Sequence, residues 1–294
     1  MPDVHRALPV RRLAPTFMGE IEDFQISEPS VAEHRDAILG AFLDHKVIVL
    51  RDQRITPDEL AAFGAIFGEP DPHHIVAMRH PDRAELTILS NQDEIGRNPQ
   101  LKTLGSGWHS DYSYKAIPAA ATLLLGVEVP SHGGDTLFAD AAAAFSDLPE
   151  ARKAELRGLR VRHQHRWMPD RSHPGARWNV LTEAEQAATP EVIHPLVRRH
   201  PETGVESLFI APCLLAGLKG IEGMDESRGL ALLEELGEHI VSPKYVYRHV
   251  WKPFDVVVWD NRCTNHRATT DQLPSSQVRR MYRITTKGTS PIPA

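Results

Sequence analysis

The run "AAATLLLGV", from Ala119 to Val127, constrains the fold more than any other part of the chain. It is apolar almost throughout, yet only about half the length a helix needs to cross a bilayer. The turn "PSHGGD" follows, then "TLFAD", so residues 119 to 140 read as two strands joined by a glycine-rich loop. The β-branched or alternating runs "VIVLR", "YVYRHVW", "DVVVWD" and "RRMYRITT" add further strands. Helical spacing occurs in "VAEHRDAILGAFLDHK", where Val31, Ile38, Leu39, Phe42 and Leu43 share a face, and again in "TPDELAAFGAIFG", "DAAAAFSDLPEARKAELRGL" and "ESRGLALLEELGEHI". In the second of these, Thr56 is placed to cap, Pro57 to open and Glu59 to complete a capping box, with Gly68 closing the helix. These patterns predict an α+β chain: an antiparallel sheet structure with helices packed on it, in one domain over residues 1–294.

Several classes of function are disfavoured by composition. With 41% hydrophobic and 24% charged residues the chain is an ordinary globular one. A net charge of -6, with Lys and Arg spread along the chain, offers no footprint for nucleic acid. Cys213 and Cys263 form neither a disulfide framework nor a CxxC pair, and the amino-terminal residues carry no apolar signal segment. No membrane partner and a reducing cytoplasm are expected. The polar stretch 162–190, which contains Trp167, Arg171, Arg177 and Trp178, lacks periodicity and is expected to form a loop or a lid over a substrate.

Within "WHSDYSY", His109 and Asp111 stand two residues apart. On a strand such residues share a side, so HxD is the shortest spacing by which one strand presents two metal ligands. Two histidines and a carboxylate make up the facial triad of non-haem iron oxygenases. His266, in "VVVWDNRCTNHRA" just past an apolar strand, is the best candidate for the third ligand, because a double-stranded β-helix brings early and late strands side by side. Each has an ordinary alternative: His109 and Asp111 as solvated side chains at a strand end, His266 as a surface loop residue.

"WHSDYSY", "PSHGGDTLFAD", "HPLVRRHPETG", "DVVVWDNRCTNHRA" and "RRMYRITT" together span most of the chain. Their order and approximate spacing resemble the taurine dioxygenase and 2,4-dichlorophenoxyacetate dioxygenase family of Fe(II)/2-oxoglutarate-dependent oxygenases. The resemblance implies a double-stranded β-helix, or jelly roll, with flanking helices. It also implies Fe(II) held by His109, Asp111 and His266, with 2-oxoglutarate and O2 as co-substrates. Arg279 and Thr136 match the arginine and threonine that bind the distal carboxylate of 2-oxoglutarate. A guanidinium fork suits a carboxylate, and a hydroxyl adds a donor. Arg283 matches the arginine that binds the acidic group of the substrate, and His73, beside His74, resembles the histidine that touches the sulfonate in taurine dioxygenase. The segment "TTDQLPSSQ" is longer than its counterpart in the family, which keeps Arg280 open as the alternative to Arg279. "TLGSGW" lacks the asparagine that taurine dioxygenase uses, so taurine itself is disfavoured. The implied reaction hydroxylates a small organic anion, with or without later bond cleavage, and releases succinate and CO2. A dimer or tetramer would resemble the family. The competing reading is a non-catalytic β-helix that binds a metal or small ligand as a sensor or store, and Arg279 with Thr136 counts against it.

Overall fold

The computed structural model describes residues 8–73, 76–92, 105–164, 187, 190–211, 218–274 and 276–294. Among them a seven-stranded sheet runs in the order Val10–Arg12, Gly19–Ile21, Val47–Leu50, Val256–Asp260, Ala119–Glu128, Arg280–Lys287 and Thr87–Ser90. All its pairings are antiparallel except that of Gly19–Ile21 with Val47–Leu50. Successive side chains leave opposite faces of a strand. Ile48, Leu50, Leu123, Leu125, Val256 and Val258 therefore turn to one side, where Ile38 and Phe42 of helix Glu28–His45 and Leu60 and Phe63 of helix Pro57–Gly64 cover them. Val47, Val49, Leu124, Val257, Trp259 and Met281 turn to the other side. There Phe138, from a three-stranded sheet ordered Val246–His249, Thr136–Asp140, Thr264–Ala268, lies 5.5 Å from the Trp259 ring. Burial on both faces is why these central strands read as unbroken apolar runs rather than as alternation. Each fully buried Val, Leu or Ile contributes about 1.5–3 kcal/mol, so this sandwich is the main source of stability.

A second core gathers Phe145, Leu156, Leu196, Leu208, Leu233 and Leu236 between helices Ala141–Ser146, Glu150–Arg157 and Glu226–Ile240 and two further three-stranded sheets. An ion pair joins the layers. Lys46, in the left-handed conformation at φ 61° beyond helix Glu28–His45, reaches buried Asp140 at 2.7 Å, and Asp140 in turn caps helix Ala141–Ser146 through Ala143 N–H.

Local expectations are met with adjustments. The Thr56–Glu59 capping box is present on both sides, but the α-helix stops at Gly64 and a single 3-10 turn, Ala65–Phe67, carries the chain to Gly68 at φ 140°. The helical pattern after Asp140 is split in two, with Pro149 at the N-cap of the second helix, because proline has no N–H to give to a continuing helix. Arg162 and His163 belong to strand Arg160–His163, paired with Val192–Pro195, rather than to a loop. Residues 165–186, and with them Trp167, Arg171, Arg177 and Trp178, lie outside the described residues, as do Cys213 and His74. Among the described residues no helix is long and apolar enough to cross a membrane.

Candidate functional site

His109, Asp111 and His266 converge, each offering one ligand atom, and these atoms all lie within 4.8 Å of one another. The local structure that achieves this differs from the expected strand. His109 makes only an isolated bridge to His266, with reciprocal N–H to carbonyl bonds of 3.0 and 2.8 Å, and Asp111 begins a turn in which Tyr112 is left-handed at φ 55°. Asp111 N–H then donates to the side chain of Asn261 instead of to a strand neighbour. His266 is no loop residue either. The chain reverses after Asp260, and His266 sits inside strand Thr264–Ala268, in register with Phe138 and 7% exposed.

The Nε2 atoms of His109 and His266 lie 3.8 and 3.7 Å from the Asp111 carboxylate. His109 is oriented by a 2.7 Å bond between Nδ1 and Gly107 O, which leaves Nε2 toward the carboxylate. His266 is oriented by packing, its ring 4.6 Å from Trp259 and 6.3 Å from Phe138. Burial, reinforced by His109 and Arg283 against the pull of Asp111, lowers the His266 pKa to about 3, so this imidazole is neutral and its lone pair available. Burial alone would raise the Asp111 carboxyl. His266, Arg283, His109 and the Thr122 hydroxyl reverse that and hold it at about 2, an anion at neutral pH. Two imidazole nitrogens and one carboxylate oxygen at this separation fit a first-row divalent cation.

Thr136 and Arg279 both lie against Trp251. Trp251 Nε1 donates to Thr136 Oγ1 at 3.0 Å, and the Arg279 guanidinium carbon lies 6.0 Å from the Trp251 ring. Arg279 Nε donates to Gly134 O at 2.8 Å. Gly134, left-handed at φ 67°, leaves the room this needs, since a Cβ there would meet Arg279 Cδ at 3.0 Å. Burial lowers the Arg279 pKa to about 10 despite Asp135, and among the described residues no carboxylate pairs with it. Arg280 pairs with Glu128, so of the two arginines Arg279 is the one that lies against Gly134 and Trp251. Strand Arg280–Lys287 begins one residue later than expected and is irregular between Arg280 and Met281.

Arg283 Nη1 stands 3.5 Å from Asp111 Oδ1, while its Nε and Nη2 are buried without hydrogen-bond partners among the described residues. His73 is buried, not solvated, with its ring 6.2 Å from Tyr112 and its carbonyl accepting from Arg79. Burial pushes the Tyr112 phenol up to about 12 and raises that of Tyr114 well above its ordinary value, so both hydroxyls are neutral.

A second group, His200, Asp260 and Cys263, has ligand-like spacing. Both Asp260 oxygens already accept from Arg262 at 2.8 Å, and His200 Nε2 lies 2.9 Å from Oδ2. A guanidinium occupies the place a cation would need, and burial keeps the Cys263 thiol protonated. This is a structural ion-pair cluster.

Sequence reading passed over Trp251, Thr122, Trp259 and Asn261. Thr122 had left a sign, as the one hydroxyl in the apolar run "AAATLLLGV".

Residues 9–285 match the family model described as taurine catabolism dioxygenase TauD, TfdA family. The chain belongs to the TauD/TfdA family. It is thereby an oxidoreductase of the Fe(II)- and 2-oxoglutarate-dependent dioxygenases, with O2 as the third reactant. It is 36% identical over 288 residues to the alpha-ketoglutarate-dependent 2,4-dichlorophenoxyacetate dioxygenase of Burkholderia sp. (strain RASC), covering 94% of this chain and 93% of that relative. Among solved structures, a taurine dioxygenase from Burkholderia xenovorans superposes with a TM-score of 0.80 at 31% identity, over 98% of this chain and 91% of the other. AAD-2, solved with Mn(II) and N-oxalylglycine, superposes with a TM-score of 0.79 at 31% identity, over 97% and 99%.

Proposed function

We propose that this TauD/TfdA family member hydroxylates a C–H bond of a small organic anion, with or without subsequent bond cleavage, and releases succinate and CO2. His109, Asp111 and His266 hold Fe(II), Thr136 and Arg279 hold the distal carboxylate of 2-oxoglutarate, and Arg283 with His73 receives the anionic group of the substrate. The observation that carries the reading is the convergence of two imidazoles and a carboxylate within 4.8 Å, in a chain whose buried Arg279 forms no ion pair with a carboxylate among the described residues. Relatives named for a phenoxyacetate and for taurine, each of which carries an anionic carboxylate or sulfonate group, support the substrate class. When bound, the iron supplies the O2 chemistry that couples decarboxylation of 2-oxoglutarate to oxidation of the substrate carbon.

The protein's share is binding and placement. Thr136 Oγ1 accepts from the Trp251 indole, so its own proton is free to donate to a carboxylate next to Arg279. Arg283 has two buried N–H groups to satisfy, and an anion there would orient the target carbon toward the metal ligands. Neutral Tyr112, against His73, and Tyr114, against Tyr112, add no charge there.

In the same reading the seven-stranded sheet and the three-stranded sheet that carries His266 are the two walls of a double-stranded β-helix, and residues 1–294 form one cytoplasmic domain, in a homo-oligomer. Anaerobic titration of the Fe(II) protein with 2-oxoglutarate tests the centre. A weak visible charge-transfer band is expected, absent in His266→Ala. Succinate release over phenoxyalkanoates, sulfonates and alkyl sulfates then identifies the substrate, and release that no anion stimulates would overturn the assignment of Arg283.

A further inference from the structure

Beneath Asp111 the buried polar groups form a one-way chain of hydrogen bonds. Trp259 Nε1 donates to Asn261 Oδ1 at 3.2 Å, and the backbone N–H of Asp111 donates to the same oxygen at 3.1 Å. Both groups are donors only, so the orientation of the Asn261 amide is forced: its oxygen faces them and its NH2 faces Thr122. Asn261 Nδ2 accordingly donates to Thr122 Oγ1 at 2.9 Å, and the Thr122 hydroxyl, having accepted, spends its proton on Asp111 Oδ2 at 2.7 Å. Thr122 is 0%, Asn261 1% and Trp259 2% exposed, so bulk water has no access with which to rearrange the chain. Asn261 is further pinned through its backbone, where its carbonyl accepts from Ser110 Oγ at 2.8 Å and its N–H donates to Ala120 O at 2.8 Å.

We propose that Asn261 and Thr122 are positioning residues for the metal centre. The oriented hydroxyl fastens Asp111 by Oδ2 and so fixes the carboxylate plane, with Oδ1 3.8 Å from His109 Nε2 and Oδ2 3.7 Å from His266 Nε2. This rests on the reading of His109, Asp111 and His266 as metal ligands. The need for such a fastening is visible in the site. Arg283 Nη1 stands 3.5 Å from Oδ1, and a carboxylate free to rotate would close on that guanidinium and be lost to a cation. Trp259 adds a second link, since the indole that sets Asn261 also packs against the His266 ring at 4.6 Å, coupling the placement of two ligands.

The test uses Mn(II) as probe, with the unbound ion counted by electron paramagnetic resonance, and needs no turnover. Thr122→Val keeps the shape and removes the hydroxyl. It should bind Mn(II) about 10- to 100-fold more weakly than wild type, while its metal-free form melts within a few degrees of wild type. Thr122→Ser restores the donor and should stay within about threefold of wild type. Should Thr122→Val fail to fold, Thr122→Ala removes the hydroxyl without crowding the strand. Unchanged Mn(II) affinity in the variant lacking the hydroxyl overturns the proposal, as does an equal loss in Thr122→Ser. His266→Ala separates this from the underlying reading: loss of Mn(II) there beside full affinity in Thr122→Val sinks the relay alone, whereas retention in His266→Ala sinks the metal assignment itself.

Discussion

Arg279 and Arg283 differ in what already occupies them, and this assigns each a different loss on mutation. Arg279 forms no ion pair among the described residues, Asp135 acting on it only from a distance, while Arg283 rests partly on Asp111. Removing a charge-assisted contact to a desolvated carboxylate costs about 2–5 kcal/mol, roughly thirtyfold or more in affinity. Arg279→Ala should raise the apparent constant for 2-oxoglutarate by that factor whatever the substrate. Arg283→Ala should leave it within a few-fold, weaken an acidic substrate, and increase 2-oxoglutarate turnover without product. Steady-state assays of succinate and product together read both; identical phenotypes would refute the division. His163 carries a second prediction at this scale. Its ring stacks on Phe209 and both nitrogens lack partners among the described residues, and burial, with His194 and Arg198 adding repulsion, lowers its pKa to about 3. The folded pKa lies below the unfolded value of about 6.5, so the unfolded chain takes the proton first. The stability that depends on a neutral His163 is full above that pH and drains as pH falls toward 3. Between pH 6.5 and 5 the wild type should lose about 1–2 kcal/mol more than His163→Phe, measured by urea unfolding.

Among elements, those set by neighbouring residues were legible, and those set by distant partners were not. The Thr56 box and helix Glu226–Ile240 lie where spacing places them, because their capping and packing signals are a turn apart. The HxD segment was read as a strand, yet Asp111 N–H finds Asn261, 150 positions away, and the chain turns instead. Thr122 was absorbed into an apolar run because its partner Asn261 lies 139 positions on. The Gly133–Gly134 turn was legible as a turn but not as a wall of the Arg279 pocket. Gly134→Ala should therefore do two things. The left-handed backbone makes it cost about 1–2 kcal/mol in stability, and the 3.0 Å approach to Arg279 Cδ should displace the guanidinium and weaken 2-oxoglutarate binding. Alanine at Gly158, where an added Cβ meets nothing within 4 Å, is the control that should leave binding untouched.

At the scale of the whole molecule, the α+β character and the layering of helices on an apolar sheet could be read from the runs alone, since strands buried on both faces have no polar alternation to hide them. Strand order could not, because it depends on which of several similar apolar runs pair. The reciprocal bridge between His109 and His266 has a consequence for how the protein is made. Val256–Asp260 and Arg280–Lys287 lie between the earlier strands of the seven-stranded sheet, so in a nascent chain both the first core and the metal-binding corner wait for strands made near the end of synthesis, and closing such long loops is entropically late. Metal then meets only the finished fold and acts as a clasp between the middle and last thirds of the chain. In stopped-flow experiments Mn(II) should leave the refolding rate unchanged. At a hundredfold excess over its dissociation constant it should slow unfolding by up to about a hundredfold, so the bound ion governs how long the native state lasts rather than how fast it is reached.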